Sequence, residues 1–389
     1  MTENARNKRC EMPEFISPEM RDLRSRVESL LVDIEESEII PADDLNLRKA
    51  VIAKSKEYGI FQLTQPKEFG GAGAGPLALT IAREAVAAAN SSLGGFVFGP
   101  DPGFLRNLSG ETKSIYLDPV IEGEKRWSFA FTEASGAAAP EKQTYAIRDG
   151  DDLVVTGSKS FVTGGASADF FATFVTVEEH DDLAAGPAMV LIDKNLPGVE
   201  ITRSFKSLEG GSHVELHFEE VHIPNTHTVG AIGEGMPRAM SNIGEERLQI
   251  SAGACGMGIW TINHITNRLN AAHRSGTRLS DREGIRLRYA DMRIDLYAAR
   301  SALYRTARLA ESGEDVVNEA AATKVLCTET IGRIVDTAVQ LAGGQALIEG
   351  EALEQMYRRV RSLRFAGGAS DILRLSIARG IFDFDSGRV

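Results

Sequence analysis

The hydrophobic period of this chain changes twice, and those two changes limit the folds open to it. From about Pro18 to Glu124 apolar residues recur every three or four positions, as in Leu23, Val27, Leu30, Leu31 and Ile34, and again in Leu77, Ile81, Ala85 and Ala88. That spacing lines one stripe of a helix. Between Trp127 and about Gly230 the period shortens toward two. Tyr145 to Arg148 and Leu153 to Thr156 flank Asp149-Gly150-Asp151 as a hairpin, and further strands are predicted at Phe170 to Val177, Ala188 to Ile192 and Val214 to Phe218. From Met236 the helical period returns, and Val325, Thr328, Ile331, Val335, Ala338 and Ala342 trace a stripe that stops at Gly343-Gly344, where glycine suits a helix end. The expectation is an α+β chain in three parts: residues 1–126 helical, 127–235 β and 236–389 helical.

With 389 residues, of which 43% are apolar, the chain can bury a sizeable core. Its net charge of -12 argues against nucleic acid or an anionic membrane as the main partner. Arg358, Arg359, Arg361 and Arg364 read first as a solvated helix end or subunit contact, and second as a local seat for an anion. Cys10, Cys255 and Cys327 are odd in number and far apart, without paired spacing for metal or redox work, which fits a reducing cytoplasm. The start of the chain carries charges of both signs without the apolar core of a signal peptide, and no later stretch has the length of a membrane span. A cytoplasmic protein is expected. His213, Glu215 and His217 share one face of a strand, but Val214, Leu216 and Phe218 take the buried face, so the histidines face water and no metal is expected there. Gly70 to Gly75 lacks both the lysine and the strand-to-helix context of a phosphate-binding loop.

Four segments stand in a fixed order: Phe131-Thr132-Glu133, Gly157-Ser158-Lys159-Ser160-Phe161-Val162-Thr163, Gln340-Leu341-Ala342-Gly343-Gly344, and Arg364 to Arg374. In order and spacing the chain resembles the acyl-CoA dehydrogenases over essentially its whole length. The resemblance implies an N-terminal α-helical domain, a middle β-barrel-like domain and a C-terminal four-helix bundle. It also implies oxidation of an acyl-CoA thioester between its α and β carbons. Since no side chain accepts hydride, FAD is implied as the acceptor, with a carboxylate as base and donors at the thioester carbonyl.

The family's usual catalytic glutamate in the C-terminal segment is replaced here by Gly367. In several branched-chain and long-chain members the glutamate stands instead in a Glu-Arg-Leu context on the helix after the β domain, and the C-terminal position is small. Glu246-Arg247-Leu248 supplies that context, and Ile243, Ile250, Ala254 and Met257 mark an apolar face with Glu246 at its edge. Burial there would raise a carboxyl toward the range of a useful base. On spacing alone Glu246 reads first as a surface residue or a partner of Arg247, an order that Gly367 reverses, and Glu245 is the lesser candidate.

The resemblance further places Phe129, Phe131 and Thr132 on one strand and Phe161 and Thr163 on another around the flavin ring, although alternating aromatics taken bare read as core. Gln340, Gly343 and Gly344 match a segment that reaches the adenosine half of FAD from a neighbouring subunit, although a helix cap explains the same glycines. Arg247, Gly367 and Ala138 are assigned to the substrate: the backbone N–H at Gly367 is the carbonyl donor, and Ala138 stands where the family has a serine. The family's diphosphate clamp is altered, with Ala272 and Ser275 before Gly276 and Arg282-Glu283 after it, which leaves Arg274 or Arg282 for the diphosphate. Ala369 and Asp371 replace a threonine and a glutamine or glutamate, and Asp371 is kept as a cofactor residue. An electron-transferring flavoprotein is the implied acceptor, and a homotetramer, or a heteromer with a related subunit, the implied assembly. Ala366 and Gly367 leave room for a branched or bulky acyl group. The competing readings are altered flavin chemistry, such as a desulfinase or monooxygenase, and a subunit that gains FAD only with its partner.

Overall fold

The structure is a computed structural model that describes residues 16–36, 44–91, 93–133, 143–179 and 183–383, with the backbone alone at 44, 45, 104 and 236–245. The chain packs as two compact units, Met1–Gly99 with Gly244–Val389, and Pro100–Ile243.

The first unit is helical. Helix α1 (Pro18–Glu36) buries Leu23, Val27, Leu30, Leu31 and Ile34, the stripe its spacing predicts. It packs with α2 (Asp44–Glu57) and α3 (Pro76–Ala89). After the sheet come α4 (Gly235–Asn270), α5 (Glu283–Glu311), α6 (Val317–Ala342), α7 (Ala352–Ser362) and α8 (Ser370–Phe382). Helices α4 to α7 share one core, with Ile262, Leu303, Val335 and Met356 all fully or almost fully buried. The bundle expected from the resemblance is present and carries a fifth helix, since Leu373 of α8 packs on Ala321 and Val325 of α6. Small residues let α3 come close to α4: a Cβ at Gly256 would lie 2.3 Å from the backbone oxygen of Glu84. Between α3 and α5, Arg300 donates to both carboxylate oxygens of Glu84 at 2.8 and 3.0 Å, and the Tyr304 hydroxyl donates to one of them at 2.7 Å.

The second unit holds a seven-stranded sheet: β1 (Trp127–Ala130), β2 (Tyr145–Asp149), β3 (Asp152–Thr163), β4 (Phe170–Val177), β5 (Gly186–Asp193), β6 (Val199–Lys206) and β7 (Ser212–Pro224). Its path runs β1-β4-β2-β3-β7-β6, with β5 on the other edge of β4. Strand β4 therefore has neighbours on both sides, and its almost continuous apolar run is buried nearly throughout. The β2–β3 hairpin turns at Gly150, whose φ of 61° suits glycine. Strand β6 was not foreseen, because Glu200, Arg203 and Lys206 blur its alternation. Strand β1 stops at Ala130, so Phe131 and Thr132 follow the strand instead of lying on it as expected.

Candidate active site

In the helical unit the chemistry gathers at the connection between α7 and α8. Gly367 and Gly368 there have φ of 61° and 107°, conformations that a side chain resists. Two helices hold this turn through its carbonyls. From α4, Arg247 Nε donates to Gly367 O at 3.3 Å; from α6, Lys324 Nζ donates to Arg364 O at 3.1 Å and to Gly368 O at 2.8 Å. Ile250, one turn beyond Glu246, closes over the same glycine: a Cβ at Gly367 would lie 2.8 Å from Ile250 Cδ1. Arg247 and Ile250, in the turn of α4 that follows Glu246, thus meet the loop that carries Gly367.

Glu246 is exposed in the single chain, with protein crowding the approach to its carboxyl. That crowding raises its carboxyl above the usual carboxylate range, against the opposing charges of Lys324 and Arg247. Burial also draws Lys324 down to about 8, helped by Arg247 and resisted by Glu246 and Glu329.

In the sheet unit the two segments assigned to the flavin lie side by side. Ser160 N donates to Thr132 O at 2.7 Å, and Ser128 Oγ donates to Thr163 O at 2.9 Å. Between them stands Phe161, 63% exposed, with a left-handed φ of 54° at a bulge where β3 slips against β7. A left-handed phenylalanine is strained, and bulges and strain of this kind gather at binding sites. Its ring meets Phe205 edge-on at 5.4 Å. Phe129 stacks on Phe131 at 5.7 Å, and Phe131 leans on buried Phe174 at 5.1 Å, so Phe131 is partly core. Thr163 is exposed, with its hydroxyl 3.3 Å from His213 Nδ1. An open ring beside exposed hydrogen-bonding groups fits a flat heteroaromatic ligand such as a flavin.

A pair that the sequence did not single out lies in the same two segments. Lys159 Nζ donates to Glu133 Oε1 at 2.7 Å, and Glu133 also accepts from Gln143 N at 2.8 Å and Thr144 N at 3.1 Å. Burial pushes Glu133 up, but the Lys159 ammonium and these N–H groups overcome it and hold the carboxyl down to about 2. Glu133 thereby ties both ends of the segment 134–142, which contains Ala138 and lies outside the described residues.

The other assigned residues stand at the surface of the helical unit. Arg274 is exposed, and Arg282 donates to Ser275 Oγ at 3.0 Å, within the connection from α4 to α5. Gln340, Gly343 and Gly344 are exposed at the end of α6, where Gly343 has φ of 74° and Arg268 donates to Ala342 O at 2.7 Å. Asp371, on the first turn of α8, is exposed and 3.7 Å from Arg374. The arginine run disperses: Arg358 pairs with Glu354, Arg359 with Asn90 at 3.0 Å, and Arg361 lies over Phe365. On β7, His213 bonds Ser207, Glu215 meets Arg203 and His217 bonds Ser158; among the described residues no group of three or more His, Cys, Asp or Glu is placed to hold a metal. Cys255 and Cys327, distant in sequence, come within 3.7 Å in the bundle core as buried free thiols. Among the described residues no helix is long and apolar enough to cross a membrane.

The chain matches the acyl-CoA dehydrogenase N-terminal domain over residues 17–124, the middle domain over 128–221 and the C-terminal domain over 233–382. It is 28% identical to a short-chain-specific acyl-CoA dehydrogenase of Clostridium acetobutylicum, across 92% of this chain and 94% of that one. It is 26% identical to the CarC subunit of a caffeyl-CoA reductase-Etf complex of Acetobacterium woodii, across 90% and 92%. Among solved structures, a probable acyl-CoA dehydrogenase of Mycobacterium abscessus superposes with a TM-score of 0.82 at 28% identity, covering 94% of this chain and 99% of that one. With all three domains matched in order and the fold shared along almost its full length, this chain belongs to the acyl-CoA dehydrogenase family.

Proposed function

We propose that this protein is an FAD-dependent acyl-CoA dehydrogenase whose base is Glu246. The observation that carries the reading is the contact of α4, through Arg247 and Ile250, with Gly367. It supports a glutamate moved from position 367 to position 246. FAD, when bound, accepts the hydride from the β carbon. Glu246 takes the α proton and holds it, which a raised carboxyl pKa favours. The Gly367 N–H donates to the thioester carbonyl as negative charge develops there, and Arg247 and Lys324 keep the turn in place.

Phe161, Phe129, Phe131, Thr132 and Thr163 are proposed to hold the flavin ring, and Arg274, Arg282 and Asp371 the rest of the cofactor. Gln340, Gly343 and Gly344 reach the adenosine half from a neighbouring copy. Ala138 borders the substrate. The product electrons leave to an electron-transferring flavoprotein.

A second reading runs the same residues in reverse, and the reductase named among the relatives favours it. Protonated Glu246 would then deliver its proton to the α carbon of an enoyl-CoA. Anaerobic mixing with saturated acyl-CoAs and, after chemical reduction, with enoyl-CoAs tests both. Bleaching of the flavin by a saturated thioester supports the dehydrogenase; recovery of colour with an enoyl-CoA alone favours the reductase. In Glu246→Gln either reaction should slow by about two orders of magnitude or more. An unchanged rate removes Glu246 as the base.

A further inference from the structure

Lys159 and Phe161 stand two residues apart on β3, so an unbroken strand would turn both side chains to one face. Instead Lys159 is 1% exposed and Phe161 63%, because β3 slips against β7 between Lys159 and Val162. Turned inward, Lys159 reaches the segment that follows β1. Its Nζ donates to Glu133 Oε1 at 2.7 Å and lies 3.5 Å from Phe131 O, and it stands 5.8 Å from the centre of the Phe174 ring on which Phe131 leans. Phe131, Thr132 and Glu133 lie past the end of β1 and outside its pairing with β4. They are tied to β3 by this buried side-chain bond and by the backbone bond from Ser160 N to Thr132 O at 2.7 Å. Glu133 also accepts from Thr144 N at 3.1 Å, and the Thr144 hydroxyl donates to Ser158 O at 3.1 Å, which returns the link to β3 one residue before Lys159.

An ion pair removed from water adds little stability over two well-packed neutral side chains, because both charges lose their hydration. Its hydrogen bonds do have direction and length, so it fixes spacing in a way that an apolar contact does not. We propose that the Glu133–Lys159 pair positions the flavin seat: it holds Phe131 and Thr132 of one segment at a set distance from Ser160 and Phe161 of the other. This rests on the reading of Phe131, Thr132 and Phe161 as flavin residues. Both members of the pair are buried and act through their neighbours in the chain.

The test uses Glu133→Gln with Lys159→Met, which removes both charges and the bond between them while leaving an oxygen for the N–H groups of Gln143 and Thr144. Removing both charges together avoids stranding either one. The readout is the visible circular dichroism of flavin bound to the full chain at saturating FAD, which reports how the ring is held. The band is expected to change in sign or intensity, and FAD to bind about tenfold more weakly, the scale of a lost positioning partner. A band identical to wild type overturns the proposal, whatever happens to the melting temperature, since the pair would then serve stability alone. Should the double variant not fold, Glu133→Asp decides. It keeps both charges and shortens the link by one methylene, so the band should change in this variant too, and an unaltered band overturns the proposal. Thr132→Val and Phe161→Gly separate this proposal from the reading beneath it. If neither alters the band, the flavin assignment fails and the proposal with it; if they do and the pair variants do not, the proposal alone fails.

Discussion

Glu246 is asked to be a carboxylate in surroundings that favour the neutral acid. A raised folded-state pKa means that the protein binds this proton more tightly folded than unfolded. The sign follows: the group's stabilising contribution is complete below the unfolded pKa and is lost as pH rises through the folded one. Replacing it with the neutral isostere removes this loss. Glu246→Gln is therefore expected to melt above wild type at pH 8, with the gap closing as the pH falls toward the unfolded value, as scanning calorimetry of the two proteins would register. A gap that widened on acidification would contradict the raised pKa. Gly367 sets the reciprocal limit. Restoring glutamate there meets a left-handed backbone, which costs a side chain about 1–2 kcal/mol, and presses Ile250. In the Glu246→Gln background, Gly367→Glu should recover only part of the rate of flavin reduction, and adding Ile250→Ala should improve it. No improvement would place the obstacle in the turn itself. The exchange proposed between 246 and 367 comes from the sequence, where both halves interrupt family patterns. Lys324, Glu133 and Lys159 were not legible there, since a charge inside an apolar stripe carries no periodic mark of its own and the bulge in β3 breaks the alternation around Lys159. The Cys255 and Cys327 contact was hidden for a simpler reason: spacing along the chain says nothing of neighbours across a bundle.

Among the elements, the buried joint between α3 and α5 is the clearest structural commitment in the helical unit. Glu84, Arg300 and Tyr304 are almost wholly removed from water, and the guanidinium meets the carboxylate with two hydrogen bonds. Glu84→Ala would strand the guanidinium, at a cost of about 3–5 kcal/mol, whereas replacing both partners with apolar residues of similar volume should cost much less. Denaturant unfolding of the single and double variants measures the difference; additive losses would show that the pair is not coupled. The helices were legible because their stripes are wide and long, as in α1 and α6. Strand β6 was not, because an exposed strand paired with β7 alone keeps a weak alternation. Phe161 combines what was and was not legible: its position came from the motif, but its left-handed backbone and exposure came only with the fold. Phe161→Gly should relieve the strain and weaken FAD retention together, a pairing that thermal melting and the flavin absorbance of the purified protein would reveal. A variant that is both destabilised and fully yellow would make Phe161 a packing residue.

At the scale of the whole molecule, the helical unit exposes rows of large apolar side chains. Leu287, Ile294 and Tyr297 recur on one face of α5 at 63 to 66% exposure, and Ile372, Leu375 and Phe382 recur on α8 at 49 to 84%. Single exposed leucines are common, but rows on one helix face mark surfaces covered in assembly. Further copies of this chain are the proposed cover, four in all, so light scattering of the purified protein should give a mass near four times 42.1 kDa. Ile294→Glu with Tyr297→Glu, which buries charge against its symmetry mate if α5 meets another copy, should drive that mass down. The same variant tests how FAD is held. Gln340, Gly343 and Gly344 are exposed, and they are proposed to reach the adenosine half of a neighbour's FAD. Dissociation should then release FAD as well, and the released flavin should scale with the fraction of smaller species. A dissociated chain that stays yellow would mean that each copy holds its FAD alone, and that the end of α6 is a helix cap and nothing more.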